Sequence, residues 1–351
     1  MSIGRVKYTQ VPPLDVVALG AAVTDGVVES LPDARIAVRT PGLLRVFDRE
    51  EFFEGDAAEP MSELGLGEGE RGAPLRDGGF VVADGDSVRA MTRGGSARWR
   101  LAHDAWHGSG GALGNPAVSA DGALVSVFVP NLAKDYAGGR AWLADDIAVL
   151  DVATGAVVER AAAQGTSQRE VQRWHPERAR LAISMWVPWG GWMTWWGLAR
   201  EGGFRFVGGA RSLVPVGFLP GTDRLVTRRW PDFPDDAEDD FEELALYDIA
   251  TGEPIARLDT TELNENACAD DFPEDTVLDA DRVLTVLRPS EPHASGPARR
   301  THVHWVLDSA ELRPLGQVHY PVPAGESVIA LGDGTWLTRH GDELHRWRLA
   351  A

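Results

Sequence analysis

Residues 119–128 read Ser-Ala-Asp-Gly-Ala-Leu-Val-Ser-Val-Phe, and residues 149–155 read Val-Leu-Asp-Val-Ala-Thr-Gly. A near copy follows later in the chain: Phe218-Leu-Pro-Gly221, then Arg224-Leu-Val-Thr-Arg228, then Leu246-Tyr-Asp-Ile-Ala-Thr-Gly252. Each copy is a turn signal, an alternating apolar run, an apolar pair closed by Asp, and a second turn. Side chains on a strand alternate faces, so a period-two run between turn residues reads as a strand. The Asp carboxylate can accept backbone N–H groups two residues on, and Gly tolerates positive φ. Asp-x-x-Thr-Gly therefore suits a hairpin turn.

The same grammar extends outward. Further runs are Arg35-Ile-Ala-Val-Arg39, Phe80-Val-Val-Ala-Asp84 and Val283-Leu-Thr-Val-Leu287, and further closures are Val46-Phe47-Asp48 and Val306-Leu307-Asp308. Each run is read as following a tight-turn signal: Pro32-Asp33, Asp84-Gly85, Asp121-Gly122, Pro176-Glu177, Pro220-Gly221, Asp279-Ala280 and Asp333-Gly334. From Asp33 to Asp333, six steps span 300 residues, a mean of 50. Few windows keep helical three-four spacing beyond two turns. An internal period of this size marks a repeat architecture.

In these units the chain resembles the blades of bacterial WD-repeat-like β-propellers, although the Gly-His and Trp-Asp dipeptides of well-formed WD repeats are absent. The resemblance is strongest in the two copies quoted above and poor in the second and fourth units. It implies an all-β fold, a seven-bladed β-propeller of four-stranded antiparallel blades with about 28 strands. The expectation is one domain over residues 1–351, with approximate units 24–70, 71–108, 109–165, 166–210, 211–265, 266–320 and 321–351. The last run, Glu343–Leu349, reads as a third strand. The outer strand of the final blade is then expected from the N-terminus, within residues 5–20, closing the ring and hiding an edge.

Composition fits. The 351 residues include 39 Gly, 22 Pro and 13 Trp with 44% hydrophobic residues, a turn-rich globular chain with material for a large core. Lys and Arg number 34 and Asp and Glu 53, a net charge of −19 that opposes the phosphate backbone and argues against nucleic-acid binding. One Cys, Cys268, excludes an intramolecular disulfide and a Cys-rich zinc site. The apolar stretch Val16–Val23 follows Pro12, Pro13 and Asp15 and is too short for a secretory or membrane segment, so a cytoplasmic, membrane-free monomer is expected. Only Lys7 and Lys134 are Lys, an Arg bias that fits a GC-rich bacterial genome.

Between the second and third strands of each unit lies a connection. It is short at Thr40–Gly42, Asp84–Asp86 and Gly341–Asp342, and long at residues 130–142, 188–195, 230–243 and 288–300. Four consecutive insertions at one topological position are expected to form a binding face; the alternative is that exposed loops simply tolerate length. The ligand- or partner-binding candidates on them are Trp142, Trp189, Trp192, Trp195 and Trp230, the acids Asp235, Asp236, Asp239 and Asp240, and the pair Arg299 and Arg300. Trp rings supply contact area and attract cations, whereas Trp174 and Trp186 fall on strands as core. The acids read as a solvated loop, or as the complement of Arg299 and Arg300 or of a basic partner.

No metal site or cofactor is expected. His302 and His304 share a strand face and form an alternative metal pair, but no third ligand is evident, and a structural role is the competing reading. Neither Gly-x-Ser-x-Gly nor a P-loop is present. The leading expectation is a non-catalytic interaction scaffold that binds a protein partner through the inserted loops. The alternative is an enzyme or small-molecule binder with a Trp-lined axial pocket on the same face.

Overall fold

The computed structural model describes residues 11–54, 58–105, 114–130, 145–163, 169–187, 191–201, 203–229, 243–263, 267–268, 274–289, 302–323, 325 and 327–350. They group into two compact units, one of Gly26–Phe52 and Ala57–Pro215, the other of Met1–Asp25, Phe53–Asp56 and Val216–Ala351. Among the described residues no helix is long and apolar enough to cross a membrane.

The chain opens with β1 (Leu14–Val23), which belongs to the second unit. The first unit then lays down four antiparallel four-stranded sheets, each in simple sequence order. They are β2 (Val27–Leu31), β3 (Arg35–Thr40), β4 (Leu43–Asp48) and β5 (Ser62–Gly65), with α1 (Arg49–Glu54) between the last two; β6 (Arg71–Pro74), β7 (Phe80–Ala83), β8 (Ser87–Met91) and β9 (Ala97–Ala102); β10 (Ala117–Val118), β11 (Leu124–Pro130), β12 (Asp145–Asp151) and β13 (Val157–Ala162); and β14 (Arg169–Trp174), β15 (Arg180–Val187), β16 (Gly191–Arg200) and β17 (Gly203–Arg211).

The next sheet is β18 (Leu213–Phe218), β19 (Arg224–Arg229), β20 (Glu243–Asp248) and β21 (Glu253–Asp259). It is followed by two short strands, β22 (Ala267–Cys268) and β23 (Thr276–Val277), that both pair β24 (Arg282–Pro289), then β25 (Val303–Asp308) and β26 (Pro314–His319). The chain ends with β27 (Val328–Ala330), β28 (Trp336–His340) and β29 (Glu343–Leu349). Antiparallel to β29 lies β1, so the N-terminal segment supplies the outer strand of the final sheet, over 14–23 rather than within 5–20. The first residues of β1, Leu14 and Asp15, also pair in parallel with Val318 and His319 of β26, which joins the last two sheets.

The alternating runs that mark the repeat are the second strands β3, β7, β11, β19 and β24. They are buried on both faces, β7 along its whole length and β11 from Val125 onward. The closing Asp residues end the third strands and cap the following turn. Asp151 Oδ1 accepts from Thr154 N at 2.8 Å and Thr154 Oγ1 at 2.8 Å. Asp48, Asp248 and Asp308 accept in the same way from Glu50 N at 2.9 Å, Ala250 N at 2.8 Å and Ala310 N at 3.0 Å. In these turns Gly155 and Gly252 have φ of 72° and 75°, the left-handed region that favours glycine.

Two expectations are corrected. Asp84-Gly85 turns β7 into β8 and does not precede the Phe80 strand; that place is held by Asp77-Gly78, where Asp77 Oδ1 accepts from Gly79 N at 3.0 Å. Residues 191–195 of the fourth unit are not loop but the start of β16, with Trp186 opposite Trp192 and Val187 opposite Gly191. Trp, Met and Thr at alternating positions pair well across a hairpin, and this outweighs the turn signal of the adjoining glycines.

Polar ties join neighbouring sheets inside each unit. In the first, Trp99 Nε1 donates to Val152 O at 2.7 Å and Trp174 Nε1 to Ala117 O at 2.9 Å. The second has a buried ion pair: Arg228 of β19 holds Asp275 with both side chains fully enclosed, Nη2 reaching Asp275 Oδ1 at 2.8 Å and Thr285 Oγ1 at 2.7 Å. Asp275 Oδ1 also accepts from Thr285 Oγ1 at 2.6 Å and Val286 N at 3.1 Å. Removing one partner strands a charge without water, so Asp275→Ala should cost about 3–5 kcal/mol. Urea unfolding of the variant reads this, and a loss no larger than that of an exposed pair such as Arg100–Asp86 would refute it.

Candidate functional site

In the first unit, charged and polar groups gather where β6, β10, β12 and β14 begin. Arg71 opens β6, Asn115 precedes β10, Asp145 opens β12 and Glu170 is the second residue of β14. Burial pushes the Glu170 carboxyl up; Arg71 and a side-chain hydrogen bond from Asn115 oppose this, and the Asp145 carboxylate adds to it. Asn115 sits at φ 32°, a backbone region sparsely used by residues with a Cβ. Gln172 packs here too, its amide bonded to Asn115 O and its Oε1 accepting from Ser126 Oγ at 2.5 Å.

Nearby on β14, desolvation pulls the Arg173 guanidinium below its ordinary value while Glu29 of β2 works the other way. Water still reaches Arg173, so the group is crowded by protein rather than sealed in it. Glu29 also pairs with Arg39 at 3.2 Å. A carboxyl raised by burial next to an amide and a guanidinium can offer or accept a hydrogen bond to a polar ligand.

In the second unit, β25 and β26 pair from Leu307↔Pro314 to Trp305↔Gln317 and then part, as Val318 and His319 pair β1 instead. A cleft of about 480 Å³ lies there, lined by His302, Val303, Gln317, Val318, His319, Tyr320 and Pro321–Pro323. Tyr320 braces its floor. Its hydroxyl lies 2.8 Å from His304 Nδ1 and accepts from Trp336 Nε1 at 2.8 Å, and its ring packs edge-on to His304, Trp336 and Trp347. Trp347 Nε1 donates to Thr338 Oγ1 at 2.8 Å, and Thr338 meets His340 Nε2 at 3.1 Å. Burial, then the nearby His302, hold the His304 ring down to about 3, so it is neutral at ordinary pH. Two imidazoles, an amide and an apolar wall can hold a small ligand with one polar head.

Most residues singled out in the sequence fall elsewhere. Trp142, Trp189, Trp230, Asp235, Asp236, Asp239, Asp240, Arg299 and Arg300 lie outside the described residues. Trp192, expected in a loop, is on β16 and only 2% exposed, because the hairpin continues through it. Trp195 is also on β16 and packs against the core around Ile183 and Phe204. His302 and His304 lie together as expected, but His304 is buried in the tyrosine and tryptophan network. Among the described residues no group of three His, Cys, Asp or Glu is placed to hold a metal. Sequence reasoning missed Tyr320, Trp336 and Glu170. Only the alternation of His302, His304 and the aromatic strand ends could have pointed to the first two.

No protein-family model matches the chain, and no curated protein matches its sequence. Solved structures do match. A chain in the crystal structure of the mitotic checkpoint complex aligns over 95% of both chains with a TM-score of 0.54 and 13% identity. BamB from Moraxella catarrhalis aligns over 95% of this chain and 99% of that one, with a TM-score of 0.48 and 13% identity. The N-terminal domain of Nup159 aligns over 97% and 98%, with a TM-score of 0.48 and 9% identity. The first likeness shows a β-propeller fold for this chain.

The neutral His304 makes the second unit acid-sensitive. In the unfolded chain its ring takes a proton near its ordinary 6.5, whereas in the fold it does so only near 3. Above that ordinary value the group has no effect. As pH falls between the two values the unfolded state gains the proton and stability drops, by up to about 1.4 kcal/mol per pH unit for one such group. His340, also held down by burial and by His345, adds in the same direction. Urea midpoints measured across this range should fall less steeply in His304→Gln than in the wild type. Identical slopes would refute the assignment.

Proposed function

We propose that the chain is a single seven-bladed β-propeller that works as a non-catalytic interaction scaffold, a cytoplasmic monomer binding a protein partner through connections 130–142, 188–190, 230–243 and 288–300. One observation carries the reading. The four segments lie between the second and third strands of consecutive sheets, β11 and β12, β15 and β16, β19 and β20, β24 and β25; three of them are long, while the one between Val187 and Gly191 is as short as a tight turn. The equivalent connections elsewhere are tight turns, between Thr40 and Leu43, Ala83 and Ser87, and His340 and Glu343. Insertions that keep to one topological position in a repeat array commonly mark its binding side. The acids Asp235, Asp236, Asp239 and Asp240 give such a side a preference for a basic partner surface.

A second reading places a small ligand on the protein. It is favoured by Glu170, whose raised carboxyl stands beside Asn115 and Arg71. The tryptophan wall first expected for such a pocket loses Trp192, which is buried.

The two readings separate experimentally. Asp235, Asp236, Asp239 and Asp240, all changed to Asn, should abolish capture of a specific protein from native lysate at low salt without changing the melting temperature. Raising salt should release the same protein from the wild type, because exposed charge pairs are screened. Capture that is unchanged by both would overturn the scaffold reading. A co-purifying small molecule lost in Glu170→Gln would establish the second.

A further inference from the structure

We propose that the outer edge of β1 is a docking strand: it accepts an extended, positively charged segment of a partner protein as an added strand of the final sheet. This surface is distinct from the four connections and does not depend on their role.

The backbone leaves that edge open. One side of β1 pairs β29 from Val16 to Val23, and the other meets β26 only at Leu14 and Asp15. Among the described residues no strand pairs the second side beyond Asp15. Thr24 N donates to Asp342 O at 2.8 Å, so Thr24 faces the β29 side. Backbone groups alternate sides along a strand. Val23 and Ala21 therefore turn their N–H and C=O away from β29, toward the open edge.

The side chains leave the edge undefended. Proteins protect outer strands with charges, prolines or bulges. Outer strands of the first five sheets carry charge: Glu63 on β5, Arg98 and Arg100 on β9, Glu159 and Arg160 on β13, Arg205 on β17, and Glu253 and Arg257 on β21. From Val16 to Val23, β1 carries none, and one irregularity between Ala18 and Gly20 is its remaining protection. Val17, Leu19 and Val23 are exposed, the last at 73%. An apolar, uncharged edge of this length is suited to strand addition, where main-chain bonds give affinity and alternate side chains give specificity.

Charge selects the occupant. The open stretch is bracketed by two exposed acids, Asp15 and Asp25, on a chain of net charge −19. A second copy paired antiparallel would bring like acids together at both ends. A segment with alternating apolar residues and a basic residue near each end would meet opposite charge at both.

Fluorescence anisotropy with a labelled probe peptide, Arg-Lys-Thr-Val-Thr-Val-Thr-Val-Lys-Arg, tests this on the full chain. The probe should bind saturably, weaken as salt rises, and slow hydrogen exchange at Ala21 and Val23. A version with Glu at the four basic positions should not bind. Val17→Lys with Val23→Lys should weaken the basic probe roughly tenfold or more by placing like charge on the strand. Asp15→Asn with Asp25→Asn, a purely surface change, should weaken it and flatten its salt dependence. Equal binding of both probes, no saturable binding, or affinity unchanged in both variants would overturn the proposal. So would sedimentation showing that the edge is filled by a second copy.

Discussion

The rest of the structure depends on one constraint: the second strand of each sheet is buried on both faces. Val125, Val127 and Val129 point one way and Ser126 and Phe128 the other, and all five are buried. A four-stranded sheet exposed on either side could not satisfy that strand. Burial then grades outward. Third strands such as β12 are almost wholly enclosed, while outer strands such as β9 and β13 carry only exposed and half-buried residues. The repeat of about fifty residues is thus a packing requirement before it is a sequence pattern.

Polar groups sit where this packing would otherwise strand them. The Asp caps end the third strands and satisfy turn N–H groups locally, at little cost because the turns face water. The ties between sheets are more demanding. Arg228 and Asp275 are fully enclosed, and Thr285 and the Val286 N–H add hydrogen bonds that help the pair stay compatible with the core. The Tyr320 hydroxyl serves His304 and Trp336 at once, and that shared bond positions the strand ends around the cleft. Buried polar networks of this kind specify geometry more than they add stability.

A fold built this way separates its roles. Strand interiors carry the packing, which leaves connections, strand ends and the uncharged stretch Val16–Val23 of β1 less constrained. Glu170 and the cleft near His302 lie at strand ends, and the β1 edge lies at the outside of its sheet. Each of these places can change residue type without disturbing a second strand.

Much of the fold was legible in the sequence. The runs at Arg35, Leu124, Arg224 and Val283 are second strands, and the apolar pairs ending in Asp48, Asp151, Asp248 and Asp308 are the ends of third strands, because alternation and Asx turns are local chemistry. A strand from the N-terminus completing the last sheet followed from counting strands. The irregular second and fourth units were less legible, since Phe80 and Trp192 owe their placement to cross-strand partners and the local turn signals there misled. Candidate sites were the least legible. Asn115, Asp145 and Glu170 are far apart in sequence, as are His304, Tyr320 and Trp336, and only the stacking of sheets brings each group together. The sequence by itself determined strand, turn and repeat, which depend on neighbours along the chain. The tertiary structure alone decided which histidine is buried, which carboxyl is raised and which edge is left open, because desolvation and pairing depend on neighbours in space.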